Sequence, residues 1–244
     1  MLKKISYMTA GESHGKGLIG IIEGIPAGMN ITEEYIEKDL LRRMQGHGRG
    51  GRMKIEKDHA EIFSGVRHAI TLGSPISLLI KNFDWVNWED RMATGKPKKE
   101  HRKVTMPRPG HADLAGVMKY GLDDIRNVLE RSSARETAMR VAIGAVCRKL
   151  LEEVGITVGS RVYQIHNIVD ETPVSNNMSL KELNDTVDAS PVRCFDKAAE
   201  KKMMDVIDEA RNNGDSVGGS FEVIAKGLPY GLGTYINAEG KLQA

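Results

Sequence analysis

Along this chain, short runs of β-branched and aliphatic residues closed by glycine or proline alternate with longer stretches in which apolar residues recur every three or four positions. The short runs, residues 18–23, 60–66, 76–81, 157–166 and 220–225, are predicted strands. The first and third lack strict polar alternation, which predicts burial on both faces or close to it. Thr32 caps a predicted helix with Glu33 and Glu34 in its first turn; Ile36, Leu40 and Met44 share one face, and Arg42 and Arg43 arrive at its end. Ser133 and Glu136 form an S-x-x-E capping pattern ahead of a stripe of Met139, Ile143, Val146 and Leu150. Ala138, Ala142 and Ala145 lie beside that stripe, so this helix is expected to be covered on more than one side and to sit centrally. Ser179 with Glu182, and Asp196 ahead of Ala199, Met203, Ile207 and Ala210, open two more helices, the last stopping at Asn213-Gly214. With no internal repeat, low-complexity tract or linker, residues 1–244 are expected to form a single domain.

Composition narrows the function classes. Thirty-five basic against 33 acidic residues is too even for a chain that binds nucleic acid through bulk charge, so any cationic site must be local. Cys147 and Cys194 are the only cysteines and give neither a disulfide framework nor metal-ligand spacing, so no metal is expected and the compartment is read as reducing. The start carries no signal-peptide core and no apolar run approaches the ~18 residues of a membrane span. The expectation is a cytoplasmic protein with no membrane or nucleic-acid partner.

Four segments carry candidate chemistry. Residues 8–20, MTAGESHGKGLIG, put Ser13 and His14 in a glycine turn before an apolar strand; His14 can move a proton near neutrality and Ser13 can donate to an oxyanion, although such residues are commonly solvated loop positions. In RRMQGHGRGGRM, Arg42, Arg43, Arg49 and Arg52 can fold around a small polyanion; a solvated basic loop or an RGG-like RNA contact remains open, and the lack of aromatics disfavours base stacking. MPRPGHAD holds Arg108 and His111 in a proline-shaped turn that opens a helix. ERSSARET, residues 130–137, surrounds a helix N-terminus with two serines and two arginines, either a phosphate cradle or a plain cap. The G-x-x-x-x-G-K-[ST] and G-x-G-x-x-G patterns are absent. The set suits general acid chemistry on a small, multiply anionic substrate.

In this order the motifs resemble chorismate synthase. GESHGKGLIGIIEGIP and ERSSARETAMRVAIGAV are similar to the family's two signatures; RRMQGHGRGGRMKIEKD, TLGSPISLLIKNFDWVNW, MPRPGHADLAGVMKYG, SPVRCFD and GDSVGGSFEVIAKGLPYGLG resemble further family blocks. The resemblance implies an α+β fold, a sandwich of central helices between antiparallel β-sheets. It also implies a homotetrameric lyase of the shikimate pathway that converts 5-enolpyruvylshikimate 3-phosphate to chorismate by anti 1,4-elimination of phosphate, and that requires reduced FMN without net redox change. Carried over, His14 is the acid that protonates the departing phosphate and His111 the acid that protonates the reduced flavin. Ser13, Arg43, Arg49 and Arg135 are implied substrate contacts; Arg131, Ser132 and Ser133, again with Arg43 and Arg49, are implied flavin or nicotinamide-nucleotide contacts. The chain is read as lacking the family's C-terminal segment, with its further flavin contacts and its Arg-x-Asp motif. Two other readings stay open: a non-catalytic anion or RNA binder using the RGRGG loop, and a flavin reductase using NADPH.

Overall fold

The computed structural model describes residues 4–49, 58–234 and 236. Contacts divide the chain into two compact units, one formed by Leu2–Leu41 with Arg52–Val146, the other by Met1, Arg42–Gly51 and Cys147–Ala244.

The first unit is built on a four-stranded antiparallel sheet of order β1-β2-β6-β3, with β1 Ser6–Gly11, β2 Gly17–Glu23, β3 Ala60–Ser64 and β6 Ile76–Lys81. β1 and β2 are joined by the turn that carries Ser13 and His14. Gly11 sits at its neck with φ +106°, and a Cβ there would stand 2.3 Å from the Gly17 carbonyl oxygen, so only glycine lets the two strands close this tightly. Helix α1, Glu33–Met44, begins as the sequence predicts, with the Tyr35 N–H donating to Thr32 Oγ1 at 3.3 Å. Glu33 ties that end to β3 by accepting from the Ile62 N–H at 2.7 Å. Ile36 and Leu40 are buried, while Met44 is half-buried. Two-residue strands β4 Val66–Arg67 and β5 Ile70–Thr71 form a separate hairpin.

Strand β2 departs from the expectation of two buried faces. Leu18, Gly20 and Ile22 are buried whereas Ile19 and Ile21 are exposed, so the strand is half-buried in the ordinary antiparallel way and its lack of sequence alternation is misleading. On the inner face lies α4, Thr137–Glu153, preceded by α2, Asp113–Tyr120, and the single turn α3, Arg126–Leu129. A Cβ on Gly20 would meet Met139 Sδ at 2.5 Å and Ile143 Cδ1 at 2.9 Å, so helix and sheet touch closely at that point. Within α4, Ala138, Met139, Ala142, Ile143, Ala145 and Val146 are buried, and Arg140 and Gly144 are exposed. One broad face is covered, rather than the whole circumference.

In the second unit, β7 Thr157–Ile165 stands between β8 Ile168–Val169 and β9 Gly219–Lys226 in an antiparallel sheet. Helix α5, Leu180–Asp188, starts with a complete capping box between Ser179 and Glu182 and buries Leu180, Leu183 and Val187 among Val174, Met178, Phe195 and Ile224. Helix α6, Lys197–Asn212, is capped by Asp196, whose side chain accepts from the Ala198 N–H at 2.8 Å, and packs Ala199 and Met203 with Val192 and Cys194.

Candidate active site

The Ser13-His14 turn is held from two sides. From below, the buried Asn82 at the end of β6 donates through Nδ2 to the carbonyl oxygens of Ser13 (3.1 Å) and Gly15 (2.8 Å), and its Oδ1 accepts from the Asp84 N–H at 3.1 Å. Those bonds position the 3-10 turn Phe83–Asn87 and the following Trp88, whose indole stacks on the His14 imidazole with ring centroids 3.9 Å apart. Trp88 is fixed in turn by its Nε1–H donating to Asp84 at 2.8 Å.

From the other side comes the ERSSARET segment. The Ser13 N–H donates to the Glu130 carbonyl at 2.9 Å, and the His14 N–H donates to the Glu130 carboxylate at 2.9 Å. His14 Nδ1 lies 2.8 Å from Glu130 Oε2 and 3.1 Å from Oε1. Arg126, one helical turn earlier, donates to Oε1 at 3.0 Å. Burial pushes the Glu130 carboxyl upward, but the His14 ring, the His14 backbone and Arg126 outweigh it and hold the group below its ordinary value.

Arg131 reaches across the end of β1, donating to the Thr9 carbonyl at 2.9 Å, to Thr9 Oγ1 at 2.7 Å and to the Gly11 carbonyl at 3.3 Å. Ser133 Oγ donates to Ser13 Oγ at 3.1 Å, joining the two motifs directly. Ser132 Oγ is buried with no hydrogen-bond partner. Arg135 is buried and its guanidinium pairs with the buried carboxylate of Asp58.

The start of α4 differs from the predicted capping box. Ser133 Oγ accepts from the Arg135 N–H at 3.3 Å, while the Glu136 carboxylate takes Thr9 Oγ1–H at 2.7 Å and Arg140 Nε–H at 2.8 Å. The N–H groups of Arg135, Glu136 and Thr137 are all used inside the 3-10 turn Ala134–Glu136. With a carboxylate there as well, this terminus offers an anion side chains, namely Arg131 and the serines, rather than open backbone donors.

His111 belongs to the same unit. It is exposed in the turn before α2, and the turn is clamped from within: Arg108 donates Nε–H and Nη2–H to the buried Asp113 carboxylate, each at 2.9 Å, and its own backbone N–H at 3.0 Å. The Arg108 bond, outweighing burial, lowers the Asp113 carboxyl to about 2. Helix α2 packs on α3 where Gly116 meets Val128, so the His111 turn rests on the element that leads into Glu130.

The arginine loop lies in the other unit. Arg42 donates to Asp188 at 2.8 Å, and Asp188 also pairs with Arg193 at 3.1 Å. His47 lies 2.9 Å from Asp208 and its N–H donates to the Pro191 carbonyl at 2.8 Å. Arg43 sits in the last turn of α1. Arg49 donates to the Gln45 carbonyl at 3.0 Å and lines an open cavity of about 380 Å³ with Arg211, Ile207 and Ser216. Arg52 lies outside the described residues. Sequence reasoning therefore finds the two motifs that meet around Ser13, but it quotes Asn82, Trp88 and Asp58 only within longer family blocks, and Glu130 within its signature, without giving any of them a role.

The whole length bears on identity as well. A family model for chorismate synthase matches residues 5–244. The chain belongs to the chorismate synthase family. It is 54% identical to the chorismate synthase of Geobacillus sp. (strain WCH70) over 241 residues, which is 98% of this chain and 62% of that protein. Against the chorismate synthase of Bacillus subtilis (strain 168) it is also 54% identical, over 243 residues. A crystal structure of chorismate synthase superposes with a TM-score of 0.78 at 40% identity, covering 98% of this chain and 63% of that one. The α+β class with antiparallel sheets is thus that of a chorismate synthase, and the chain spans about 62% of the length of the curated relatives it matches.

Proposed function

We propose that the protein to which this chain belongs is a chorismate synthase lyase, converting 5-enolpyruvylshikimate 3-phosphate to chorismate and phosphate as a cytoplasmic homotetramer. The observation that carries this reading is the joining of the family's two signature motifs, Ser13-His14 with Glu130–Ser133, into one bonded cluster. His14 stands there with Nδ1 against Glu130 and its side chain 21% exposed, at the position the reading gives to the acid that protonates the departing phosphate. His111, exposed on the neighbouring turn, is the second imidazole, holding the proton that the reading assigns to the reduced flavin. Arg43 and Arg49 supply guanidinium charge to the anionic groups of substrate and cofactor, and Ser13 supplies a hydroxyl. Arg135 is kept in the proposed substrate set, with its 5% exposed guanidinium paired with Asp58.

Reduced FMN, when bound, supplies an electron-rich dihydroflavin to an elimination that has no net redox change. The residues suit such a group in one respect: the orphaned, buried Ser132 hydroxyl lies next in sequence to Arg131, whose side chain is 40% exposed although it also pairs with Glu136 at 3.6 Å, so an unused hydroxyl adjoins a partly exposed cation. Ser133, Arg43 and Arg49 complete the proposed set.

The test is anaerobic phosphate release from 5-enolpyruvylshikimate 3-phosphate by the product of the full reading frame in which this chain lies, with dithionite-reduced FMN. Turnover that falls at least a hundredfold in H14A, with the fold retained, is expected. No chorismate from the wild-type protein, or an H14A variant as fast as wild type, overturns the reading.

A further inference from the structure

The buried carboxylate behind His14 is more than a structural partner. We propose that Glu130 is a positioning residue that holds neutral His14 as its Nδ1–H tautomer, so that Nε2 is the nitrogen that gains and loses the proton.

The geometry allows one assignment of donors. Glu130 is 1% exposed and is surrounded by N–H groups: the His14 backbone N–H at 2.9 Å on Oε2 and Arg126 Nη1–H at 3.0 Å on Oε1. Both are obligatory donors, so the carboxylate acts as acceptor toward each. His14 Nδ1, at 2.8 Å, completes the set. Those two fixed donors, one of them the Arg126 cation, favour the ionised carboxylate against burial while the ring is neutral; a cationic ring adds its own attraction, and together these hold the carboxyl below its ordinary value. An ionised carboxylate has no proton to give, so Nδ1 must carry the hydrogen in both the neutral and the cationic ring. Arg126 already balances the carboxylate charge, so the ring can be neutral without leaving a buried anion unpaired.

Orientation is fixed by further contacts. Trp88 covers one face of the imidazole, and the guanidinium carbons of Arg126 and Arg91 stand 5.2 Å and 5.3 Å from the centroid of that indole. The backbone N–H of His14 binds the same carboxylate as its own ring, which locks main chain and side chain to one point. An acid–base imidazole backed by a buried carboxylate follows the logic by which catalytic histidines are given a defined tautomer.

The role of Nε2 as the proton carrier rests on the lyase reading; the tautomer does not. The test is therefore made on the product of the full reading frame in which this chain lies, with no substrate or flavin added, by long-range ¹H–¹⁵N correlation of imidazole-labelled protein across a pH series that reaches the neutral ring, with H14Q assigning the signal. Wild-type His14 is expected to show a protonated, pyrrole-type Nδ1 and a bare, pyridine-type Nε2. In E130Q, whose amide can either accept or donate, that single pattern is expected to be lost as both tautomers become populated. An Nε2–H tautomer in the wild type overturns the inference, as does a folded E130Q that keeps the wild-type pattern. Should E130Q fail to fold, the wild-type spectrum decides alone. Absence of chorismate in the turnover assay would remove the lyase reading and leave the tautomer standing, whereas the wrong tautomer removes the role of Glu130 and leaves the lyase reading untouched.

Discussion

Replacing Asn82 tests whether the Ser13-His14 turn owes its shape to one buried amide. In N82A the carbonyls of Ser13 and Gly15 both lose their donor, and both residues are buried, so water does not replace it. An orphaned buried acceptor costs about 1–3 kcal/mol, so the pair predicts a loss of about 3 kcal/mol once some relaxation of the turn is allowed. Both tryptophans of the chain, Trp85 and Trp88, follow Asn82 in the same unit, so their fluorescence reports its unfolding. With a urea m-value of about 2 kcal/mol/M, the midpoint should fall by about 1.5 M. N82D should be worse, because a carboxylate there faces two carbonyl oxygens with no proton to share. N87A is the control: Asn87 is exposed and its side chain donates to Asp84 at 2.8 Å, so its midpoint should move by less than about 0.25 M. A drop of under about 0.5 M in N82A, or an N82D variant more stable than N82A, would refute the claim that this amide organises the turn.

Other perturbations probe the surrounding framework. G20A pushes a methyl into Met139 and Ile143 and should cost about 1–3 kcal/mol, whereas G144A, on the open face of α4 with no atom within 4 Å, should gain about 0.5–1 kcal/mol; opposite shifts in thermal midpoint check the pair. D58A leaves the Arg135 guanidinium buried without its carboxylate and should lose about 3–5 kcal/mol in urea unfolding; a loss below about 1 kcal/mol would show that the pair is not holding the segment. Acid should act through Asp113. Its folded value of about 2 lies below the ordinary 3.8, so its stabilising effect is complete above about pH 4 and is lost as pH falls through 2. D113N should therefore lose less stability between pH 5 and pH 2 than the wild type, and equal losses would contradict the assignment.

Elements with a local cause are legible in the sequence. Thr32, Ser179 with Glu182, and Asp196 all act through hydrogen bonds within three residues, and the helices they start are where the sequence puts them. Elements made by distant partners are not. Strand β1, SYMTAG, has no β-branched run and becomes a strand by pairing with β2 over its whole length. The β4–β5 hairpin turns at His68 and Ala69, both with positive φ and neither the glycine nor asparagine that announces such a turn. Ser133 and Glu136 show the competition directly: the capping pattern is present, but Thr9 Oγ1, 127 residues away, and Arg140 take the carboxylate that would have closed the box.

The same distinction governs the site. Counting arginines in loops suggests a broad cationic surface, but a count says nothing of carboxylates brought up from elsewhere: Arg42 meets Asp188, Arg108 meets Asp113 and Arg135 meets Asp58. Much of the apparent anion-binding charge is thereby turned to holding the framework, since a buried guanidinium without a partner is costly. His14 is the converse case. Read alone, a histidine in a glycine turn is more often a solvated residue than a catalytic one, and what holds His14 in a defined place is Glu130, 116 residues later, together with Trp88. Glu130 is present in the quoted motif, yet its role depends on a fold that buries it where three N–H groups converge. A motif can therefore mark which residues come together before anything local reveals how they divide the work; the proposed division follows burial, with the buried carboxylate behind and the partly exposed imidazole in front.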